Sequence, residues 1–209
     1  AVNELDANAE WLEDELNGNE VCFDSPFWID KYEVTNEQYG STGCEEESDE
    51  PDQPRNCVDW FEALAHCQAR GATLPTEAQW EYAAGGPDSL TYPWGNNYIA
   101  ENVIGEDDPT YGDSETAPVG SRLGGASWVG ALDMSGNLWE WTVSEYVDYP
   151  YDANDGRNDN LESTDVLRVL RGGSFFNASN NLRSADRYGD FPAFDFFDFG
   201  FRCVRSYQQ

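Results

Sequence analysis

The sequence predicts an α+β domain, loop-rich, with two helices and short strands. Three observations carry this: an amphipathic helical stretch at Trp60–Arg70, a second helix opened by a capping pattern at Thr76, and a second half punctuated by Gly, Pro, Asn and Asp between short apolar runs. At 209 residues the chain suits one domain with an N-terminal extension. Its 14% aromatic content, with 8 Trp, separates it from disordered acidic chains, which lack the apolar surface to offset chain entropy.

Residues 1–25 read as a polar extension, with Trp11, Leu12 and Leu16 at helical spacing, and residues 26–209 as the domain. Between Ser41 and Arg55, Glu45, Glu46, Glu47, Asp49, Glu50 and Asp52 mark a solvated loop that Cys44 and Cys57 could close as a disulfide. In WFEALAHCQAR, Phe61, Leu64, Ala65 and Cys67–Gln68 recur at helical spacing, and Gly71 ends the run. Thr76 and Gln79 stand three apart as a capping box, and Trp80, Tyr82 and Ala83 form the apolar side of the helix they open. Short strands are expected at Val166–Arg171 and Phe199–Arg205, and no 20–50-residue repeat is visible.

Charge excludes several partners. With 41 Asp+Glu against 11 Lys+Arg the net charge is −30, so the chain has no basic surface for nucleic acid and no attraction to an anionic membrane. Only Lys31 is lysine, a balance suited to high salt and hence to a halophilic or marine source. No apolar run approaches the ~18 residues of a membrane span, and the acidic start lacks a signal peptide's basic region. Five cysteines, Cys22, Cys44, Cys57, Cys67 and Cys203, cannot all pair internally and form no zinc motif; one or two disulfides would imply an extracellular setting. The sole histidine, His66, sits mid-helix and reads as a packing residue, and no Walker or dinucleotide loop is present.

Several segments in fixed order carry a resemblance. They include Trp28-Ile-Asp-Lys-Tyr-Glu-Val-Thr-Asn36, Leu74-Pro-Thr-Glu-Ala-Gln-Trp-Glu-Tyr-Ala-Ala-Gly85, Asp133-Met-Ser-Gly-Asn-Leu-Trp-Glu-Trp-Thr142, Leu170-Arg-Gly-Gly-Ser174 and Gly200-Phe-Arg-Cys203. Over about residues 26–205 they resemble the formylglycine-generating enzyme (sulfatase-modifying factor) domain, which implies a C-type lectin-like fold. The resemblance implies structural calcium held by Asp133, Gly136, Leu138 and Glu140, where a glycine turn brings hard oxygen donors together. It suggests a second calcium site at Asn102 and Val103 with a carboxylate from Asp107, Asp108 or Asp113, and it pairs Cys67 with Cys203. The family's oxidase chemistry needs two redox cysteines, but those positions are Ser179 and Ser184 here. Serine offers no accessible thiolate and no soft copper ligand, so no copper and no enzymatic activity are expected.

Residues 175–199 are unusual. Tyr188, Phe191, Phe194, Phe196, Phe197 and Phe199 alternate irregularly with Asp190, Asp195 and Asp198, fitting neither helix nor strand periodicity. The segment lacks Lys, Glu, Gln, Met and Trp, the residues an AAY asparagine codon cannot reach when only its adenines change. Its layout resembles the variable protein of a diversity-generating retroelement. That resemblance implies a non-enzymatic, diversified ligand-binding protein at a virion or cell surface, facing a protein or glycan ligand of variable identity. The ligand-facing positions would be Phe176, Asn177, Tyr188, Gly189, Asp190, Phe191, Phe194, Asp195, Phe196, Phe197, Asp198 and Phe199. Arg171, Gly172, Gly173, Arg183, Arg187, Gly200 and Arg202 would form the fixed frame, arginines pairing carboxylates beneath the patch. Two other functions compete: a sulfatase-modifying-factor-like oxidoreductase, and a lectin that holds sugar hydroxyls through calcium.

Overall fold

The structure, a computed structural model, describes residues 19–44, 49–112 and 115–207. The helix expected around Trp11, the acids Glu45, Glu46 and Glu47, and Asp113 lie outside the described residues. Three helices occur in chain order: α1 (Asn36–Tyr39), α2 (Trp60–Ala69) and α3 (Glu77–Gly85). Each opens on a capping box, Thr35 with Gln38, Asp59 with Glu62 and Thr76 with Gln79, which satisfies the first free amides of the helix.

Six short strands make two sheets. β1 (Phe27–Ile29) pairs antiparallel with β6 (Val204–Ser206), bringing both ends of the domain together. The larger sheet runs β4 (Arg187–Asp190), β3 (Arg168–Arg171), β2 (Trp139–Glu145), β5 (Phe199–Gly200), antiparallel except for the parallel β2/β5 pair. The single strand expected at Phe199–Arg205 is therefore two. Phe201, Arg202 and Cys203 cross between the sheets, and all three are buried, so the alternation a continuous strand needs is missing.

The main core gathers Trp60 and Leu64 of α2, Trp141 of β2, Leu170 of β3, and Phe199 and Phe201. Cys67 is disulfide-bonded to Cys203, tying α2 to the C-terminal crossing, and Cys44 is bonded to Cys57. The buried side of α2 is Trp60, Ala63, Leu64 and Cys67, while Ala65 and Gln68 are exposed. Trp60 turns inward because its indole donates to the Thr142 carbonyl at 2.7 Å, shifting the apolar stripe from the one expected. In α3, Trp80, Ala83 and Ala84 are buried as a second cluster, and Tyr82 lies at its edge. No helix of the described residues is long and apolar enough to cross a membrane.

Candidate ligand-binding face

The segment after β3 is set by two glycines. Gly172 and Gly173 have φ of 97° and 73°, and a Cβ on Gly173 would meet the Asn181 carbonyl at 2.6 Å, so only glycine lets the chain fold back here. Phe175 then turns into the core and Phe176 out to solvent. Asn177 closes the turn, its Oδ1 accepting from the Ser174 amide and hydroxyl, each at 2.9 Å.

Beyond β4 the phenylalanine-rich stretch is held by its main chain. The carbonyls of Pro192, Phe196 and Asp198 accept from the amides of Trp60, Cys57 and Trp139 at 3.1, 3.2 and 2.9 Å. The Phe197 carbonyl accepts from Asn56 Nδ2 at 2.7 Å. None of these bonds uses a side chain of the stretch itself. The backbone path is thus fixed independently of which side chains it carries.

Those side chains form a contiguous aromatic surface. Phe176, Tyr188, Phe191, Phe194, Phe196 and Phe197 are 38–55% exposed. Ring centroids link Phe191 to Phe194 at 6.2 Å, Phe194 to Phe196 at 5.6 Å and Phe196 to Phe199 at 5.1 Å. Tyr188 joins through Trp139 at 5.7 Å, and Phe176 packs on Phe197 at 6.3 Å. An exposed apolar group of this extent is what partner-binding surfaces present. Asp195 stands exposed among the rings. Burial pushes the Asp198 carboxyl above the usual range, offset in part by the Ser174 hydroxyl donating at 3.1 Å.

Five of the twelve expected ligand-facing positions serve the frame instead. Phe199 is only 3% exposed, packed on Trp141 at 5.2 Å in the parallel pairing with β2. Asp190 is buried and accepts from the Phe191 amide, and Asn177 is the turn closure described above. Gly189 lies under the Tyr146 ring, 2.6 Å from where its Cβ would be, and Asp198 is mostly sunk beside Ser174.

The calcium ligand sets implied by resemblance are not assembled by these side chains. Glu140 is fully buried with Oε2 on Arg202 Nε at 2.6 Å and Trp80 Nε1 at 2.9 Å, and Oε1 on Arg202 Nη2 at 2.6 Å. Asp133 Oδ2 accepts from the Gly120 amide at 2.6 Å. At the second position Asp108 is bound by Arg122 and by the amides of Thr110 and Tyr111, beside buried Val103 and a 3₁₀ turn ending at Asn102. Gly136 and Leu138 belong to the turn into β2, where the Leu138 amide donates to buried Glu33 at 3.0 Å. Among the described residues no three His, Cys, Asp or Glu side chains are placed to share a metal.

Ion pairs hold the underside of the sheet. Arg187 forks onto both oxygens of Glu77 at 2.8 and 2.9 Å, and Arg171 binds Glu81 at 2.6 Å and three carbonyls of the 184–186 stretch. Arg183 pairs with Asp186 at 3.4 Å. Glu33 and Glu77 are partners the sequence did not reveal, because an acid in a first helical turn or before a threonine reads as exposed. His66 stacks on Tyr39 at 5.1 Å, and burial together with Arg70 lowers its pKa, as suits a packing residue.

Fold and face together define a C-type lectin-like domain with an exposed aromatic surface on main-chain anchors. The chain belongs to the sulfatase-modifying factor enzyme 1-like domain family, whose model matches residues 4–207. It is 33% identical to the inactive C-alpha-formylglycine-generating enzyme 2 of Bos taurus over 70% of this chain and 48% of that one. It is 31% identical to the formylglycine-generating enzyme of Thermomonospora curvata over 75% and 57%. The chain thus spans about half the length of these curated relatives. Treponema denticola variable protein 1 superposes with a TM-score of 0.71 at 20% identity, covering 85% of this chain and 84% of that one. The Major Tropism Determinant I1 variant gives 0.53 at 18% identity, covering 86% and 50%.

Proposed function

We propose that this chain is a sequence-diversified binding protein of the retroelement type, presenting Phe176, Tyr188, Phe191, Phe194, Asp195, Phe196 and Phe197 to a protein or glycan ligand at a cell or virion surface. The observation that carries this reading is the anchoring of residues 192–198 through main-chain carbonyls. Such anchoring tolerates side-chain replacement, since exposed substitutions cost within ~0.5 kcal/mol. Support comes from the residue types missing in 175–199 and from the fold shared with proteins titled as variable and as tropism determinants.

Sequencing the coding locus tests it. The expected result is a near-copy of codons 175–199 beside a reverse transcriptase, differing at adenines; identical codons across isolates would overturn the reading. An oxidoreductase is the other function the family offers. Ser179 and Ser184 carry hydroxyls where that chemistry uses thiols, so no oxygen uptake is expected with copper and a cysteine-bearing sulfatase peptide.

A further inference from the structure

On the other side of β4 from the aromatic face lies a cavity of about 820 Å³, bounded by α3, the segment around Phe23, and Ser184. Its lining includes Glu20, Glu77 and Glu81, the rings of Phe23, Tyr82 and Tyr149, and no Lys, Arg or His side chain. Glu77 is committed to Arg187. Glu81 is not fully committed: Oε2 accepts from Arg171 and lies 3.3 Å from the Tyr149 hydroxyl, while Oε1 has no partner among the described residues on a side chain 39% exposed. Ser184 is 2% exposed, and its Oγ has no hydrogen-bond partner among the described residues. One atom, Arg171 Nη2, binds both Glu81 Oε2 at 2.6 Å and the Ser184 carbonyl at 2.9 Å, which sets carboxylate and hydroxyl on the same wall.

We propose that this cavity binds a primary alkylammonium group, with Glu81 Oε1 and Ser184 Oγ accepting its protons and the Tyr82 and Tyr149 rings flanking its alkyl stem. A buried hydroxyl without a partner is rare in native folds and calls for a ligand group to satisfy it. Aromatic walls beside a carboxylate favour a cation over a neutral alcohol. An ammonium fits better than a guanidinium, because the planar fork seeks both oxygens of one carboxylate and Arg171 already holds Oε2. The site is independent of the aromatic face: Glu81, Tyr82 and Tyr149 lie outside 175–199, and Ser184 stands in the constant Leu182–Arg187 stretch of that segment.

Calorimetric titration of the full chain with n-butylammonium, n-butanol and acetyl-Gly-Lys-Gly-amide tests the proposal. The amine is expected to bind and the alcohol to bind about tenfold more weakly or worse. Ser184→Ala and Glu81→Gln should each weaken amine binding several-fold, and Phe194→Ala should leave it unchanged. Ser184→Ala removes a hydroxyl that makes no internal bond, so it decides the question even where Glu81→Gln, by stripping Arg171, fails to fold. Binding of the peptide as well as the amine assigns the group to lysine side chains; binding of the amine alone assigns it to a free amine. Absence of amine binding, equal binding of the alcohol, an unaffected Ser184→Ala variant, or loss of binding in Phe194→Ala would each overturn the site.

Discussion

Arg187 and Tyr188 are neighbours in β4 that face opposite sides of the sheet: the guanidinium grips buried Glu77 at 2.8 and 2.9 Å, while the phenol stands 45% exposed against Trp139. Strand alternation thus separates a fixed ionic underside from a replaceable aromatic surface within one peptide unit. Removing one member of a buried pair leaves the other charge uncompensated, at a cost of about 3–5 kcal/mol. Arg187→Leu is therefore expected to lower stability in urea unfolding by about that amount, and Tyr188→Ser by about 1 kcal/mol or less. Equal effects would show that the two sides are not energetically distinct.

The same separation holds among the phenylalanines. Phe199 is packed on Trp141 and Phe196, whereas Phe194 is 45% exposed. Phe199→Ala should cost about 3–5 kcal/mol through lost burial and a cavity, and Phe194→Ala under about 1 kcal/mol. Thermal unfolding of both variants, read against ligand capture once a ligand is found, separates frame from face.

How far the sequence revealed this division depends on which physical signal was local. The capping box at Thr76, the helix after Trp60 and the exposure of Phe191, Phe194, Phe196 and Phe197 were legible, because helix entry and clustered aromatics are written in short windows. The inward turn of Phe199 was not, since it depends on parallel pairing with Trp139, sixty residues away in sequence. Asp190 and Asn177 looked like ligand-facing polar residues and turned out to hold their own turns, a role that short polar side chains and exposed contacts share in sequence. The Glu77–Arg187 pair joins α3 to β4 across 110 positions, beyond any local pattern.

Asp198 gives the face a pH dependence. Burial lifts its carboxyl, so the folded chain holds the proton to higher pH than the unfolded chain does. The stability this proton confers is fully present below the ordinary Asp pKa of about 4 and is lost as pH rises through the raised folded-state value. Asp198→Asn should therefore gain stability relative to the parent between about pH 4 and 7. Denaturation midpoints of both proteins across that range check it; a constant difference would rule it out.

The Cys67–Cys203 bond closes a loop with a sequence separation of 136, so it removes a large share of unfolded-chain entropy. In the chain-entropy model this amounts to about 5 kcal/mol. A Cys67→Ala, Cys203→Ala double variant should unfold at markedly lower urea concentration, with the Cys44–Cys57 bond intact as an internal control.

Arg202 fills the position that the family resemblance would give to calcium. Its guanidinium binds both oxygens of Glu140 at 2.6 Å and the carbonyls of Leu132 and Asp133 at 2.9 and 3.2 Å, so the 133–140 turn is already closed by a covalently attached cation. A calcium site saturated at a hundredfold its dissociation constant would add about 2.7 kcal/mol, a rise in melting temperature of roughly 5–10 °C for a chain of this size. Neither millimolar calcium nor EDTA should therefore shift the melting temperature of the intact protein by such an amount. Arg202→Met, by contrast, leaves Glu140 buried with only the Trp80 indole as donor and should destabilise the fold by about 3–5 kcal/mol. A calcium-dependent rise of several degrees in the parent protein would show that ion and guanidinium share the turn, and would return Glu140 and Asp133 to the role of metal ligands.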